Sequence, residues 1–319
     1  MRAAVLSDIH SNWHAMNAVL ADVDAQGVTT IWCLGDVMGY GPDPYRCWQE
    51  LAEFRGVPPS AWVAGNHDWG LIGRLETHLF LSFMKEMGNS TVAVGDFGQH
   101  AWDGILQQRR LLEHKPEVFD AQGRLPIIAS PSPGVYLTHG TFDTEVHQAI
   151  GTYAYGPDWA QASLHDLHVM LPKLGTNDWT EMPHAAAGDW QEPRLMLVGH
   201  THRACAWQAP GREHNSSRWT DWTNDLAAGP VCFELNERPV FANPGSVGFP
   251  RDYDSSYATY MLVDLEGTRA ELRLRRIKYD PRPTIKAMRD IGISEKVVRQ
   301  LEPKTRSKGS PEIVRGGML

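Results

Sequence analysis

The sequence predicts an α/β fold with two facing β-sheets, flanked by helices, and a site at one end between the sheets. Strand and helix patterns alternate in β-α-β-α-β order over the first 64 residues, which favours parallel pairing. A second group of strand patterns follows after residue 200. Five short polar motifs also each follow a predicted strand, and ligands gather at the carboxyl ends of strands in such sheets.

The first part of the chain contains three predicted strands and two predicted helices. The strands are the apolar runs at 2–7, 30–34 and 61–64. The first helix spans 12–26, just before Gly27, and carries its apolar face at Trp13, Met16, Leu20 and Val23. The second helix spans 44–54, with Tyr45, Trp48 and Leu51 at helical spacing.

The rest of the chain divides into segments of different character. Residues 68–114 are predicted to be mostly helical, and 135–138 and 195–198 to be short strands. The Trp-, Pro- and His-bearing stretch 141–194 has weak periodicity and is interpreted as an insertion or cap. The predicted strands of the second sheet are 203–208, 230–235, 239–242, 257–264 and 269–278. We expect one domain over 1–280, then a basic extension over 281–319 that is helical at 284–301 and frayed from Pro303.

Composition excludes several classes of protein. Of the 319 residues, 42% are hydrophobic and 21% are charged, which is ordinary globular usage and excludes a disordered chain. No apolar run reaches about 18 residues and the N-terminus does not resemble a signal peptide, so we expect no membrane span and a cytoplasmic location. The four cysteines form no CxxC pair and are expected to be reduced, with Cys33 in the core.

The net charge of −8 is unevenly distributed. Residues 267–319 hold 14 Lys or Arg and 6 Asp or Glu, whereas residues 1–266 hold 16 and 32. An acidic body argues against broad nucleic-acid binding, which needs a positive surface, and it would tolerate cations. The basic tail is interpreted as a solvated face.

Five motifs at strand ends carry the candidate chemistry: Asp8-Ile9-His10, Gly35-Asp36, Gly65-Asn66-His67-Asp68, His139-Gly140 and Gly199-His200-Thr201-His202. Any one of them could equally be a capped turn, but all five in order predict that their side chains converge. In Asp8/His10 and in His200/His202, one residue separates the pair. On an extended segment this spacing puts both side chains on one side, so each pair is expected to bind one metal.

The donor set indicates the kind of ion. Besides His67, the motifs offer two carboxylates, one amide and four imidazoles. Mixed oxygen and nitrogen ligands suit Mn, Fe, Zn, Ni or Co better than Ca or Mg. No thiolate lies near the motifs, which argues against a structural zinc site. Seven side chains exceed the needs of one tetrahedral ion and suit two ions that share a carboxylate.

The motif series is similar to that of the calcineurin-like metallophosphoesterase family, whose pattern is DxH, GD, GNH[DE], a lone His and GHxH. The match runs from residue 1 to about 264, and NPGSVG at 243–248 resembles bacterial members of the phosphodiesterase branch. The resemblance implies a four-layer αββα sandwich of two mixed β-sheets. It also implies two metal ions, manganese in the first place and Fe, Zn, Ni or Co as alternatives.

The resemblance further implies roles for individual residues. Asp8, His10 and His202 resemble ligands of a first metal, and Asn66, His139 and His200 resemble ligands of a second. Asp36 resembles the carboxylate that bridges the two ions, and His67 resembles the general acid that protonates the leaving oxygen. The implied reaction is in-line attack on a phosphoester by a hydroxide that bridges the metals.

Departures from the family pattern narrow the expected function. Phosphoprotein phosphatases of this family carry GDxVDRG, whereas Gly39 and Tyr40 stand here in place of its acidic and basic residues. Purple acid phosphatases have a Tyr ligand at the position of Gly39. The stretch resembles the small bacterial phosphodiesterases instead. We therefore expect hydrolysis of phosphodiesters or small phosphorylated molecules, including nucleotides. A phosphoprotein phosphatase, a nuclease and a non-catalytic scaffold with the same fold are the alternatives.

Substrate contacts are less specific in the sequence. Tyr40 could touch the substrate or cap its loop, and Arg251 could bind phosphate or form a surface ion pair. Asn12 could bind phosphate or cap the first helix. Six tryptophans could stack a nucleobase or simply pack the inserted half: Trp159, Trp179, Trp190, Trp207, Trp219 and Trp222.

Overall fold

The computed structural model describes residues 1–55, 60–74, 99–143, 146–174, 190–211, 218–236, 238–252 and 254–303. Within these ranges the chain forms two six-stranded sheets. The strands are β1 (Arg2–Leu6), β2 (Ile31–Cys33), β3 (Ala61–Trp62), β4 (Ala129–Ser132), β5 (Val135–Leu137), β6 (Leu195–Leu197), β7 (Ala204–Gln208), β8 (Thr220–Asp221), β9 (Val231–Glu234), β10 (Val240–Pro244), β11 (Tyr257–Glu266) and β12 (Arg269–Lys278).

Both sheets are mixed, as predicted. The first sheet has the order β3-β2-β1-β11-β12-β9, and the second has the order β4-β5-β6-β10-β7-β8. Strands β1, β2 and β3 are parallel, and β11 joins β1 antiparallel with Val5 opposite Met261. In the second sheet β5, β6 and β10 are parallel, and the remaining pairs are antiparallel.

The predicted membership of the second sheet is wrong for three strands. The segments predicted at 230–235, 257–264 and 269–278 complete the first sheet as β9, β11 and β12. Only β7 and β10 join the second sheet, beside β5 and β6. Periodicity identifies a strand but not its neighbours, and here the β11–β12 hairpin pairs along the free edge of β1.

Ten helices flank the two sheets in the described ranges. They are α1 (Trp13–Ala25), α2 (Pro44–Arg55), α3 (Asn66–Leu71), α4 (Gln99–Leu111), α5 (Pro116–Gln122), α6 (Val146–Gly151), α7 (Pro157–Leu174), α8 (Thr223–Ala228), α9 (Arg282–Asp290) and α10 (Glu295–Val298). None of the helices in the described ranges is both long enough and apolar enough to cross a membrane.

Alternation along the strands produces the layers. In β1, Ala3 and Val5 join the apolar cluster between the sheets, whereas Ala4 and Leu6 join the cluster beneath the helices. All four are fully buried. Burying a large aliphatic side chain contributes about 1.5–3 kcal/mol, so a strand buried on both faces holds two layers together.

The predicted helices are largely confirmed. Helix α1 buries its predicted apolar face, and α2 lies where the spacing places it. Residues 75–98 of the predicted 68–114 segment lie outside the described residues. The extension at 284–301 forms two helices, α9 and α10, rather than one. The tail from 304 onward lies outside the described residues.

The segment predicted as an insertion contains the 18-residue helix α7, which its weak periodicity did not reveal. Within this segment, Phe142, Ile150, Leu167 and Met170 belong to the main apolar cluster. Cys33 is buried, and all four cysteines are free.

Two glycines provide a matched test of the close approach between strand ends. Gly27 and Gly35 both have positive φ, +66° and +91°, but a Cβ on Gly27 would meet nothing, whereas one on Gly35 would lie 2.4 Å from Gly65 N. We expect Gly27→Ala to cost about 1–2 kcal/mol of unfolding free energy. We expect Gly35→Ala to cost about 3 kcal/mol or more, because overlap with backbone adds to the strain. Urea unfolding of both variants measures this, and equal losses would contradict it.

Candidate metal centre

The five motifs meet at the carboxyl ends of β1, β2, β3, β5 and β6. Each candidate ligand follows its strand by a few residues, and all seven, together with His67, are buried. Three groups have ligand atoms within 4.8 Å of one another: Asp8, His10 and His202; Asp36, His139 and His200; and His10, Asp36 and His67. The predicted convergence of the motifs is therefore present in the fold.

In three of the motifs the backbone at the candidate ligands is left-handed rather than extended. Among the described residues, the non-glycine positions with positive φ are Asp8, His10, Ser11, Asp36, His200 and His202, with values between 47° and 65°. Each costs about 1–2 kcal/mol, and such strain clusters at functional sites. The expected extended segments are thus wrong. The spacing-based expectation that His200 and His202 bind one metal is also wrong, because they lie in different groups, as the family resemblance implied.

Asp8 offers one carboxylate oxygen to the first group. Its Oδ2 accepts hydrogen bonds from the Ser7 hydroxyl at 2.6 Å and the His200 backbone N–H at 3.0 Å. Its Oδ1 is buried without a hydrogen bond and lies 3.2 Å from His202 Nε2 and 3.8 Å from His10 Nε2. A buried carboxylate oxygen left in this way is typical of a metal ligand.

The imidazoles of the first group are oriented by backbone carbonyls. His10 Nδ1 lies 3.1 Å from the Met38 carbonyl and His202 Nδ1 lies 2.6 Å from the Phe249 carbonyl. Donation from Nδ1 leaves a lone pair on each Nε2, and these two atoms are only 3.0 Å apart. Facing lone pairs repel unless a cation lies between them, so this donor set fits a metal ion.

Asp36 lies between the two groups. Its Oδ1 accepts the His67 backbone N–H at 2.8 Å, while its Oδ2 is 3.3 Å from His139 Nε2 and 3.7 Å from His10 Nε2. Burial opposes its charged form, but His139, His67 and His10 outweigh burial and lower the pKa of Asp36 below its usual range. The Oδ2 atom of Asp36 thus faces His10 of the first group and His139 of the second.

The second group adds an amide to the imidazoles. Asn66 Oδ1 is 3.1 Å from His139 Nε2, and His139 Nδ1 is 2.7 Å from the Leu34 carbonyl. His200 Nε2 is 3.1 Å from the Gly151 carbonyl, so donation there leaves the Nδ1 lone pair as its ligand atom. Burial lowers the pKa of His200 to about 3, whereas at His139 the carboxylates of Asp36 and Asp8 and the Leu34 carbonyl together outweigh burial and raise the pKa to about 9.

His67 lies at the edge of the first group beside Tyr40. Its ring centroid is 4.7 Å from that of His10 and 4.7 Å from that of Tyr40. Burial lowers the pKa of His67 to about 4 and raises the pKa of Tyr40 above its usual range. Both rings are therefore neutral at pH 7 in the protein alone.

Asp68, next to His67 in sequence, holds two of the motif loops together through backbone hydrogen bonds. It accepts the backbone N–H groups of Asp36, Met38 and Gly65 at 2.8–3.1 Å. Burial and the neighbouring Asp36 raise its pKa to about 7.

The remaining candidates lie in different surroundings. Asn12 is fully buried and its carboxamide makes four hydrogen bonds: it accepts from Ala15 N and Thr284 Oγ1, and it donates to Gly248 O and Tyr279 Oη. This geometry favours a helix-capping role for Asn12 over phosphate binding. Arg251 is exposed, with its guanidinium 5.8 Å from the centre of the Tyr153 ring.

Packing accounts for most of the six candidate base-stacking tryptophans, as far as they lie within the described ranges. Trp207 and Trp219 are buried, Trp222 packs against the cluster between the sheets, and Trp190 stacks on Tyr136. Trp159 is exposed, and Trp179 lies outside the described residues.

Several supporting residues were not predicted from the sequence. Buried Gln108 accepts from Ser11 Oγ at 2.6 Å and donates to the Gly41 carbonyl, so α4 joins two motif loops. Phe249, whose carbonyl orients His202, packs in a cluster with α9, α10 and Tyr40. Tyr153 stacks on His200 at 3.9 Å, and only the aromatic run TYAY at 152–155 marked it.

Comparisons with known proteins agree with this geometry. The Calcineurin-like phosphoesterase superfamily domain matches residues 1–268. The uncharacterized protein MJ0912 of Methanocaldococcus jannaschii is 45% identical over 280 residues, which are 87% of each chain. A metallophosphoesterase from Sphaerobacter thermophilus has the same fold, with a TM-score of 0.62, 24% identity and coverage of 94% of this chain and 98% of that one. A hypothetical protein, PH1004, from Pyrococcus horikoshii has a TM-score of 0.59 and 16% identity, with coverage of 96% of this chain and 99% of that one.

Metal content tests the central position of Asp36. We expect Asp36→Asn to lose both ions, because its oxygen faces both groups, and His202→Ala to lose chiefly one. The measurement is elemental analysis after loading with Mn²⁺ and removal of free metal. His168→Ala, at an exposed histidine beside Glu192, is the matched control and should keep both ions. Full occupancy in Asp36→Asn would exclude the bridging role.

Stability tests the role of Asn12. Loss of a helix cap costs about 0.5–2 kcal/mol, and its other buried partners add to this, so we expect Asn12→Ala to lose about 2–3 kcal/mol in urea unfolding. Unchanged stability with a raised KM would instead assign Asn12 to the substrate.

Proposed function

This chain belongs to the calcineurin-like phosphoesterase superfamily, and from that premise we propose that it is a dimetal phosphoesterase acting on phosphodiesters or small phosphorylated molecules. The observation that carries the proposal is the pair of ligand groups on either side of Asp36, each with an inward-facing donor set. Membership of the family supports phosphoester hydrolysis, and the loop at 35–41 supports small substrates.

The proposed assignment gives each ion four protein ligands. Asp8, His10 and His202 would hold the first with Asp36. Asn66, His139 and His200 would hold the second, also with Asp36. We propose manganese, with Fe, Zn, Ni or Co as alternatives, because the donors are oxygen and nitrogen atoms. When bound, a metal pair supplies an activated water and neutralises charge on the transferring phosphoryl group.

In this proposal, His67 is the general acid. Its ring borders His10 and Tyr40 at the edge of the centre, where a leaving oxygen would lie. An anionic phosphoester beside the ring would raise its pKa and favour the imidazolium. Donation from that imidazolium places a proton on the leaving oxygen as its bond to phosphorus breaks.

The loop at 35–41 favours a small-substrate enzyme over a phosphoprotein phosphatase. A Cβ on Gly39 would lie 2.1 Å from His10 Nδ1, so this position has no room for an acidic side chain. Tyr40, in place of a phosphate-binding Arg, packs its ring against Phe249 at 5.2 Å.

Leaving-group dependence tests the role of His67. We expect His67→Ala to keep its metals and to lose about 10²–10⁴-fold in kcat on alkyl phosphodiesters, whose leaving groups need a proton. The loss should be much smaller with p-nitrophenyl esters, because nitrophenolate departs without protonation. Steady-state kinetics on both substrate classes, with elemental analysis, measures this.

The control is again His168→Ala, which should match the wild type on both classes. An equal loss on both substrates with metal retained would assign His67 to charge stabilisation. Loss of metal with activity would make it a ligand, as its place in one of the three groups permits.

A further inference from the structure

A row of aromatic rings leads from the metal centre to the surface. Tyr153 stacks on the ligand His200, with ring centroids 3.9 Å apart and planes inclined by 29°. Tyr155 stacks on Tyr153 at 5.5 Å with planes inclined by only 4°. Tyr155 is 52% exposed, so the row ends in an aromatic ring open to solvent.

Two guanidinium groups accompany these rings. Arg251 lies 5.8 Å from the centre of the Tyr153 ring, and Arg203 lies 5.5 Å from that of Tyr155. Both are held beside the first metal group, because Arg203 follows His202 directly and Arg251 N donates to the His202 carbonyl at 3.1 Å. Within the described ranges neither has a carboxylate within ion-pair distance, whereas Arg2, Arg275 and Arg289 do.

We propose that Tyr153, Tyr155, Arg203 and Arg251 form a subsite that binds the base of a nucleoside phosphoester while its phosphate lies at the metal centre. This inference rests on the proposed phosphoesterase function and names its substrate class. A planar base stacks on an aromatic ring whatever its hydrogen-bonding pattern, so Tyr155 selects for a base without specifying which one. The guanidinium of Arg251, nearer the centre, pairs with a phosphate oxygen.

The chemistry of the row favours this occupant over a sugar phosphate or a simple alkyl ester. Neither of those ligands has a planar π face to stack on Tyr155. The ring spacings place Tyr155 two stacking steps from His200. A ribose can bridge that span between a phosphate and a base.

Two substrates that differ only in the base test the subsite. They are the p-nitrophenyl esters of adenosine 5′-monophosphate and of ribose 5-phosphate, assayed with the Mn²⁺-loaded full-length protein. We expect the wild type to prefer the adenosine ester by about 5- to 100-fold in kcat/KM, the range that stacking on one ring supports. Tyr155→Ala should bring that ratio close to one, and Tyr155→Phe should restore it.

Two further variants separate the subsite from general damage. Val169→Ala, at an exposed apolar residue of α7, should keep the wild-type ratio. Arg251→Gln should raise KM for both esters alike, because both carry the phosphate. A wild-type ratio near one, or a ratio that Tyr155→Ala leaves unchanged, would overturn the subsite while leaving phosphoesterase activity intact.

Binding decides the case in which neither ester is hydrolysed and the proposed function therefore fails. Isothermal titration calorimetry then compares adenosine 5′-monophosphate with ribose 5-phosphate on the same loaded protein. A preference for the nucleotide that Tyr155→Ala removes supports the subsite. Equal affinities overturn it.

Discussion

The structure depends on the burial of two carboxylates, Asp8 and Asp36, at the junction of its two sheets. Burying a carboxylate is expensive unless charge and hydrogen bonds compensate it. Here the compensation comes from imidazoles that approach from both sheets, and no described Lys or Arg lies within ion-pair distance of either carboxylate. Cations would lie between the facing Nε2 atoms of His10 and His202 and would bind the Asp8 oxygen that accepts no hydrogen bond.

This arrangement requires strained loops, and the surrounding structure holds them in place. The left-handed residues lie in turns after β1, β2 and β6. Asp68 ties three backbone N–H groups near β2 and β3, and Gln108 joins two of the loops from α4. Strain of this size persists only where neighbouring contacts over-determine the backbone.

The segment after residue 268 lies beyond the family match, yet it contributes to this support. Tyr279 and Thr284 hydrogen bond to Asn12, and α9 and α10 pack on Phe249, whose carbonyl orients His202. The first metal group is therefore braced by a part of the chain that the family domain does not include. The second group is bordered instead by Tyr153, where the aromatic row begins.

The sequence by itself determined the donor types, their places after strands and the family's two-sheet fold. Residue types and short-range periodicity suffice for the donors and the strands, whereas the two-sheet fold was implied by the resemblance of the five motifs to a known family. The family resemblance also implied that His202 joins Asp8 and His10 while His200 joins His139, although the spacing of the two histidines by itself did not. Only the tertiary structure decided that β9, β11 and β12 extend the first sheet and that Tyr153 lies against His200. These outcomes depend on contacts between residues far apart in the chain and on left-handed turns that redirect adjacent side chains, and local periodicity encodes neither.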